Sequence, residues 1–213
     1  MSKNFIQTIK VFSVPVLIIT MAGCGNLPKI PEPKLKPPGA PEVAQLKRVA
    51  VLPFEGKDGS TFSTRLKSML VPFFEVVPET EAEGIFTGKV IESSVTQKSR
   101  TEERSTCDRK GLFKACKEGT KRTVNTQCTT KTATFEAIVF VAQTGKGEIY
   151  SRTVTGKDTD EYCKDSGPSS ESNTAMLRNA QDQALQDIRH DVAAYKECDS
   201  WLCSVGQKLN FVK

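Results

Sequence analysis

Seven cysteines and a single histidine are the residues of this 213-residue chain whose spacing could define a chemistry. Cysteine is acylated, oxidised to a disulfide or used as a metal ligand, and its spacing helps to distinguish these uses. Cys24 stands alone near the start, whereas the other six lie between Cys107 and Cys203. Because no pair has the Cys-x2-Cys spacing of a zinc motif and His190 is distant from most of them, neither zinc nor another cofactor is expected.

Cys24 closes a short hydrophobic segment at the N-terminus. Lys3 and Lys10 supply positive charge, an apolar run extends from Val11 to Ala22, and small residues precede the cysteine. This organisation is typical of a signal peptide, and the run is shorter than the roughly 20 apolar residues of a membrane-spanning helix. The stretch Ile18 to Gly25 resembles the processing site of bacterial lipoproteins. That resemblance implies a signal peptide over residues 1–23 and a diacylated thiol at Cys24.

The resemblance also implies a location. Acyl chains hold a protein on a membrane because each buried methylene contributes about 0.8 kcal/mol. In lipoproteins an aspartate after the acylated cysteine often retains the protein in the inner membrane, and this chain has Gly25 instead. We therefore expect a lipid anchor in the outer membrane, with the protein facing the periplasm.

A proline-rich segment follows the predicted anchor. Asn26 to Gln45 contains six prolines and no hydrophobic periodicity. Such composition favours an extended, semi-rigid spacer on the order of 60 Å long. A PxxP ligand for another domain is the alternative. The expected organisation is a signal peptide (1–23), an acylated cysteine with linker (24–45) and one domain (46–213).

The hydrophobic pattern after the linker predicts an α/β fold. A strand at Lys47–Phe54, a helix from Ser60 to about Val71 and a strand at Phe73–Val77 form a βαβ unit with parallel strands. Two long strands follow, Gly84–Glu103 and Thr120–Ala142, as an antiparallel hairpin. The next strand covers Glu148–Lys157. An amphipathic helix capped by Asn173 or Thr174 and reaching Tyr195 packs on the sheet, and Leu209–Val212 is expected to add an edge strand. The expected class is a mixed sheet with helices packed on it.

An even number of cysteines in an exported chain predicts disulfides. A turn near Gly111–Leu112 places Cys107 and Cys116 symmetrically, and counting outward from Gly145–Lys146 places Cys128 opposite Cys163. The remaining two cysteines are close in sequence. The predicted bonds are Cys107–Cys116, Cys128–Cys163 and Cys198–Cys203.

The outer half of the hairpin is polar on both faces. It therefore belongs to no hydrophobic core, and it lacks the lipid-facing residues of a membrane-spanning strand. Either a solvated protrusion or a partner-docking surface would have this composition. Charges of both signs alternate from Lys98 to Arg104, and loss of Lys3 and Lys10 lowers the formal charge from +5 to +3, so nucleic acid is not an expected partner.

Catalysis has little support in the residues. The chain has no GxSxG motif, and the Gly56–Gly59 loop lacks a phosphate-binding spacing. His190 falls on the polar face of its helix, which predicts a surface histidine. A hydrolase is the alternative if the fold brings together two of four acids, which are Asp58, Glu92, Glu136 and Asp158.

These elements, taken in order, resemble the CsgG-like superfamily of periplasmic lipoproteins, which includes the curli-secretion channel and lipoprotein activators of penicillin-binding proteins. The resemblance implies an α/β sandwich that binds protein without an active site. We expect a non-enzymatic protein that regulates or scaffolds an envelope partner, either a peptidoglycan synthase or a secretion or appendage assembly. A ring-forming export channel is the alternative, and the residues leave a homo-oligomer open. The resemblance rests on Arg48–Phe54, Ser60–Val71, Phe73–Val77, Gly84–Val90 and the late helix.

Overall fold

A five-stranded sheet forms the framework on which the other described elements pack. The computed structural model describes residues 33–107, 121–164 and 170–198, which belong to one unit, Pro33–Asp199. The strands are β1 (Lys34–Lys36), β2 (Arg48–Val51), β3 (Glu75–Val76), β4 (Gly84–Cys107), β5 (Lys121–Gln143), β6 (Gly147–Cys163) and β7 (Tyr195–Glu197). The α-helices are α1 (Pro41–Ala44), α2 (Gly59–Leu70) and α3 (Asn173–Val192).

The sheet has the order β3-β2-β4-β5-β6 and contains both strand directions. Strand β2 pairs in parallel with β3 and β4, whereas β4, β5 and β6 are mutually antiparallel. Helix α2 connects β2 to β3, so these elements form the predicted βαβ unit. The predicted α/β class, with its long hairpin and packed helices, is confirmed.

Helices α2 and α3 cover one side of the sheet, which we call the inner face. Phe62 of α2 contacts Phe135 of β5 with ring centroids 4.6 Å apart. Gly156 of β6 lies under α3, where a Cβ would collide with the carbonyl oxygen of Ala180. Alternate β5 residues, Ala133, Phe135, Ala137, Val139 and Val141, are completely buried on this face. The opposite side is the outer face, and none of the described helices packs on it.

The helix boundaries differ slightly from the predicted ones. Helix α2 begins after Asp58, whose φ is 63°, and not after a Ser60 cap. Helix α3 is capped by Ser172, whose Oγ accepts a hydrogen bond from the Ala175 N–H at 3.2 Å. It ends at Val192, so Tyr195 belongs to β7 and not to the helix as predicted. The predicted strand at 209–212 lies outside the described residues.

The segment from Pro33 to Leu46, which we call the strap, is not the extended spacer that its prolines predict. Strand β1 pairs with β7, and Val43 of α1 is completely buried in the core. The N–H groups of Gly39 and Ala40 donate to carbonyl oxygens at the end of α3, over 3.1 and 2.8 Å. Proline permits this folding because Pro41 stands at the start of α1, where no helical N–H is required. The expected spacer is therefore wrong for the strap, while the domain bounds stay a prediction.

Candidate functional site: a disulfide-braced β-arm

The β4–β5 hairpin continues well beyond the part of the sheet that holds the helices. The segment before α3 is hydrogen-bonded to the sheet at Lys131, whose Nζ lies 3.0 Å from Ser170 Oγ, and at Asp160. Beyond this row lie ten residues of each strand. We call this part the β-arm and define it as Lys98–Cys107 with Lys121–Thr130, paired throughout in one antiparallel register.

The arm holds its strand conformation without a hydrophobic side of its own. Threonine supports strands because a branched side chain fits the pleated surface, and several threonines lie on both arm strands. Ser99 and Thr129 face each other across the pair with their hydroxyl oxygens 3.2 Å apart. Both faces are thus polar, as predicted.

A disulfide joins the arm to the third strand. Cys128 of β5 and Cys163 of β6 are bonded at a Cα–Cα distance of 4.0 Å. The bond lies on the outer face, in a row that also contains Arg100 of β4. It closes a loop with a sequence separation of 35 residues. The pairing predicted for these two cysteines is present in the structure.

The reason for that pairing differs from the predicted one. Gln143 pairs with Gly147, so the hairpin turn is centred on Gly145 (φ 81°). The prediction had counted from a turn centred between Gly145 and Lys146. A bulge at Ile149 then adds one residue to β6 before Val141 pairs with Tyr150. The shifted turn and the bulge change the register by one residue in opposite directions. Counting outward from Gly145–Lys146 without either of them therefore still pairs Cys128 with Cys163.

Each of the other two predicted disulfides includes a cysteine that the structure does not describe. The ladder pairs Cys107 with Lys121. The turn predicted near Gly111–Leu112 and Cys116 lie outside the described residues, so the Cys107–Cys116 bond stays a prediction. Cys198 is disulfide-bonded, and its predicted partner, Cys203, also lies outside them. Cys24 lies outside the described residues as well.

Charged side chains surround the Cys128–Cys163 bond on the outer face. Arg100 bridges two acids, with its Nε 2.6 Å from Glu102 and its Nη2 2.8 Å from Glu161 of β6. Arg104 approaches the second oxygen of Glu102 at 3.4 Å. The hydrogen bond from Arg100 lowers the pKa of Glu102, and Glu102 in turn raises the pKa of Arg100. This network links β4 to β6 across β5, as the disulfide links β5 to β6.

Glu102, Cys128 and Cys163 lie close enough together to be considered as a metal site. One carboxylate oxygen of Glu102 and the two sulfurs lie within 4.8 Å of one another. Metal ligation by cysteine requires a thiolate, and both sulfurs are bonded to each other. The intact disulfide therefore leaves only one carboxylate donor in this cluster.

The four acids proposed for a hydrolase are only partly brought together. Glu92 and Glu136 are cross-strand neighbours on the outer face. Asp58 accepts a 2.6 Å hydrogen bond from Ser93 on the inner side, and Asp158 accepts one from Asn179 of α3. Glu92 and Glu136 thus lie side by side on an open sheet surface, while the other two acids are engaged elsewhere.

A groove with a volume of about 460 Å³ lies between α2 and α3. Arg65 occupies its polar side and is held by Gln181 Oε1 at 2.8 Å, by the Arg178 carbonyl and by an ion pair with Asp182. The neighbouring Gly56–Gly59 loop is a tight turn with Gly56 at φ 88°, as predicted. These internal contacts account for the polar groups of Arg65.

Sequence reasoning missed a buried cluster at the other end of α3. Asp191 is only 7% exposed and accepts hydrogen bonds from Tyr150 Oη at 2.6 Å and from Arg152 Nη1 at 2.5 Å. Burial, followed by the bond to Asp191, raises the pKa of Tyr150. The neighbouring His190 is half-buried and stacks on Tyr195 at 3.9 Å, so it is less exposed than predicted. No local sequence signal connects these residues, because they come from three separate elements.

The arm network, in contrast, had a signal that was available in the sequence. Alternate residues of a strand share a face, so Arg100, Glu102 and Arg104 necessarily lie together. Taken alone, the alternation of charge from Lys98 to Arg104 indicates only a solvated surface. What the strand period could not show was the contribution of Glu161 from β6.

The chain was compared with known proteins. No protein-family model and no curated protein matches it. The hypothetical protein CT253 from Chlamydia trachomatis is similar in structure, with a TM-score of 0.39 and 11% identity, over 74% of this chain and 98% of that one. A minor lipoprotein from Acinetobacter baumannii has a TM-score of 0.25 and 17% identity, over 78% of this chain and 88% of its own. TM-scores of this size support no conclusion about function. The CsgG-like resemblance stays a prediction.

One finding bears on membrane association. Within the described ranges, no helix combines the length and the apolar character needed to cross a membrane.

Proposed function

We propose that this protein is a lipid-anchored, non-catalytic protein of the bacterial envelope that binds another envelope protein through the β-arm. Acylation at Cys24 would hold it on the outer membrane, facing the periplasm. The observation that carries the proposal is the arm itself, an ordered, polar hairpin extension fastened to its neighbour strand by the Cys128–Cys163 bond. Through this contact the protein would regulate or scaffold its partner, either a peptidoglycan synthase or a secretion or appendage assembly.

The energetics of the arm support a role in binding. A hydrophobic core is the dominant source of stability, and polar strands without helices over them contribute little to it. Isolated two-stranded hairpins are marginal in water, so the disulfide and the Arg100 bridges supply the order that burial does not. A surface that is already ordered loses less conformational entropy when a partner binds. The covalent brace thus favours docking over a merely solvated protrusion.

The arrangement of polar residues supports a non-catalytic role. The sequence lacks the usual hydrolase motifs, and Asp58 and Asp158 are engaged in hydrogen bonds to Ser93 and Asn179. The buried Asp191 cluster neutralises its own charge with Arg152 and holds the end of α3 against the strap. Each of these contacts has a structural explanation.

Site-specific photocrosslinking in cells tests the proposal. A photoreactive amino acid is placed in the full-length chain at Thr106 or Val124, which are half-buried on the outer face of the arm, with the exposed Lys67 of α2 as the control position. We expect a discrete adduct from the arm positions and none from the control. Adducts that form equally at Lys67, or an absence of arm adducts in cells that process the protein normally, would contradict the proposal.

A further inference from the structure

The net positive charge of the chain is concentrated in the outer half of the hairpin. Residues 98–131 contain ten lysines and arginines but only four acidic residues, which leaves six net positive charges. The complete chain has a formal charge of +5, so all other residues together carry a net charge of −1. The arm itself has five of these basic residues and two of these acids, so it carries three of the six net positive charges.

The ladder sorts these charges by face. Paired positions share a face, and the rows Arg100–Cys128, Arg104–Val124 and Thr106–Arg122 all belong to the outer face. Lys98 follows the same alternation. Four basic side chains of the described arm thus lie on one side, with Glu102 and Glu161 as the acids beside them, whereas Glu103 lies on the other side.

Two of these side chains, Arg104 and Arg122, border a groove of about 380 Å³. The other residues that line it are Ser105, Thr106, Val124 and Thr126. Guanidinium groups offer paired donors that match the two oxygens of a carboxylate. The groove therefore has the size and the donors to accept acidic side chains.

Two of the basic residues keep binding capacity. Lys98 is exposed and forms no ion pair with any residue in the described part of the chain. Arg104 is 40% exposed, and its contact with Glu102 is the longest in the network at 3.4 Å. Arg100, by comparison, is committed to Glu102 and Glu161 at shorter distances. Lys98 and Arg104 are thus the donors that a partner would meet first.

The position of the strap argues against the lipid headgroups of the anchoring membrane as this partner. The strap joins the domain at Asp191, which binds Arg152 of β6, and Arg152 pairs with Val139 of β5. Eighteen residues of β5 separate Val139 from Lys121. At about 3.3 Å per residue, the end of the arm lies on the order of 60 Å from the place where Gly39 and Ala40 of the strap meet the end of α3.

We infer that the outer face of the β-arm docks an acidic surface of a protein partner, with Lys98 and Arg104 as the main contacts. This inference rests on the proposed function and adds the chemistry of the partner to it. Charge complementarity of this kind would govern the association rate and make the complex sensitive to salt.

The test uses the full-length protein in detergent and immobilised poly-L-glutamate as an acidic probe. The variants Lys98→Gln and Arg104→Gln remove one positive charge each without removing the arm, and Lys67→Gln is the matched control on α2. We expect wild type to be retained and released by salt, each arm variant to be retained roughly fivefold less, and the control to behave as wild type. Mass spectrometry of the Cys128–Cys163 bond checks that the variants keep their fold.

Four results separate the possible failures. Equal loss in the Lys67→Gln control, or no retention of wild type, overturns the acidic-surface inference. Stronger binding to vesicles of phosphatidylglycerol than to poly-L-glutamate, lost in the arm variants, overturns it in favour of a lipid surface. If arm adducts from Thr106, on the same face as Lys98 and Arg104, persist undiminished in the Lys98→Gln and Arg104→Gln variants, the inference fails while the proposed function stands.

Discussion

Removal of the Cys128–Cys163 bond should destabilise the protein mainly through its unfolded state. The bond closes a loop with a sequence separation of 35 residues. The chain-entropy relation then gives a stabilisation of about 4 kcal/mol at 25 °C. Both cysteines are buried, so substitution by alanine also removes two packed sulfur atoms. We therefore expect the Cys128→Ala, Cys163→Ala double variant to lose about 4 kcal/mol of unfolding free energy.

Urea denaturation followed by circular dichroism, under non-reducing conditions, measures this loss. Wild type and variant should share nearly the same native spectrum, because the bond lies on the outer face, away from the helices. Hydrogen exchange on the native proteins should show nearly complete loss of protection in the arm, from Thr101 to Cys107. The amides of α3 exchange through global unfolding, so their protection should fall only by the lost unfolding free energy and stay measurable. Thr153→Ala, at an exposed position of the same strand as Cys163, serves as a control with little expected change.

Two results would refute the reasoning about this bond. A loss below about 1 kcal/mol would mean that the unfolded chain is not restricted by the cross-link as the loop length requires. A greater loss of protection in α3 than in the arm would mean that the bond supports the core and not the arm in particular. Either result would remove the energetic basis for regarding the arm as a separately braced surface.

The remaining predictions concern the strap, its buried cluster and the anchor. Tyr150→Phe removes a bond to Asp191 and should lower the unfolding free energy at neutral pH by about 1.5–3 kcal/mol. The raised pKa of Tyr150 contributes stability below about pH 10 that is lost at higher pH, so denaturation between pH 9 and 11 should show a flatter profile for this variant. Val43→Ala should cost about 2 kcal/mol in urea denaturation, whereas Leu35→Ala, at a 71% exposed position, should change stability by less than about 0.5 kcal/mol. Cys24→Ala should release the protein from the membrane fraction and abolish incorporation of labelled palmitate, and unlabelled, soluble wild type would contradict lipidation.

Much of the fold could be predicted because its elements are specified by local patterns. The spacing of Leu177, Ala180, Ala184 and Ile188 places one apolar stripe on α3, and that stripe requires a sheet to cover it. Strand alternation likewise predicts that the arm is polar on both faces. The pairing of Cys128 with Cys163 follows from local patterns only in part, because the predicted register is correct only where the displaced turn and the Ile149 bulge cancel.

The strap could not be predicted because its structure depends on contacts with distant residues. Six prolines between positions 26 and 45 indicate an extended chain when considered alone. Docking at the end of α3 supplies partners for the Gly39 and Ala40 N–H groups and a buried site for Val43. Burial and hydrogen bonding therefore outweigh the local preference for an extended chain.

By itself, the sequence determined the elements, their polarity and the excess of positive charge in residues 98–131, since all of these follow from residue types and short periods. Tertiary structure decided which of these residues meet. It joined Asp191 to Tyr150 and Arg152, bridged Arg100 to Glu161 of another strand, and placed the strap at the end of the domain remote from the arm. The physical reason is that such contacts depend on strand register and on helix position, and a single bulge changes the register for every residue beyond it.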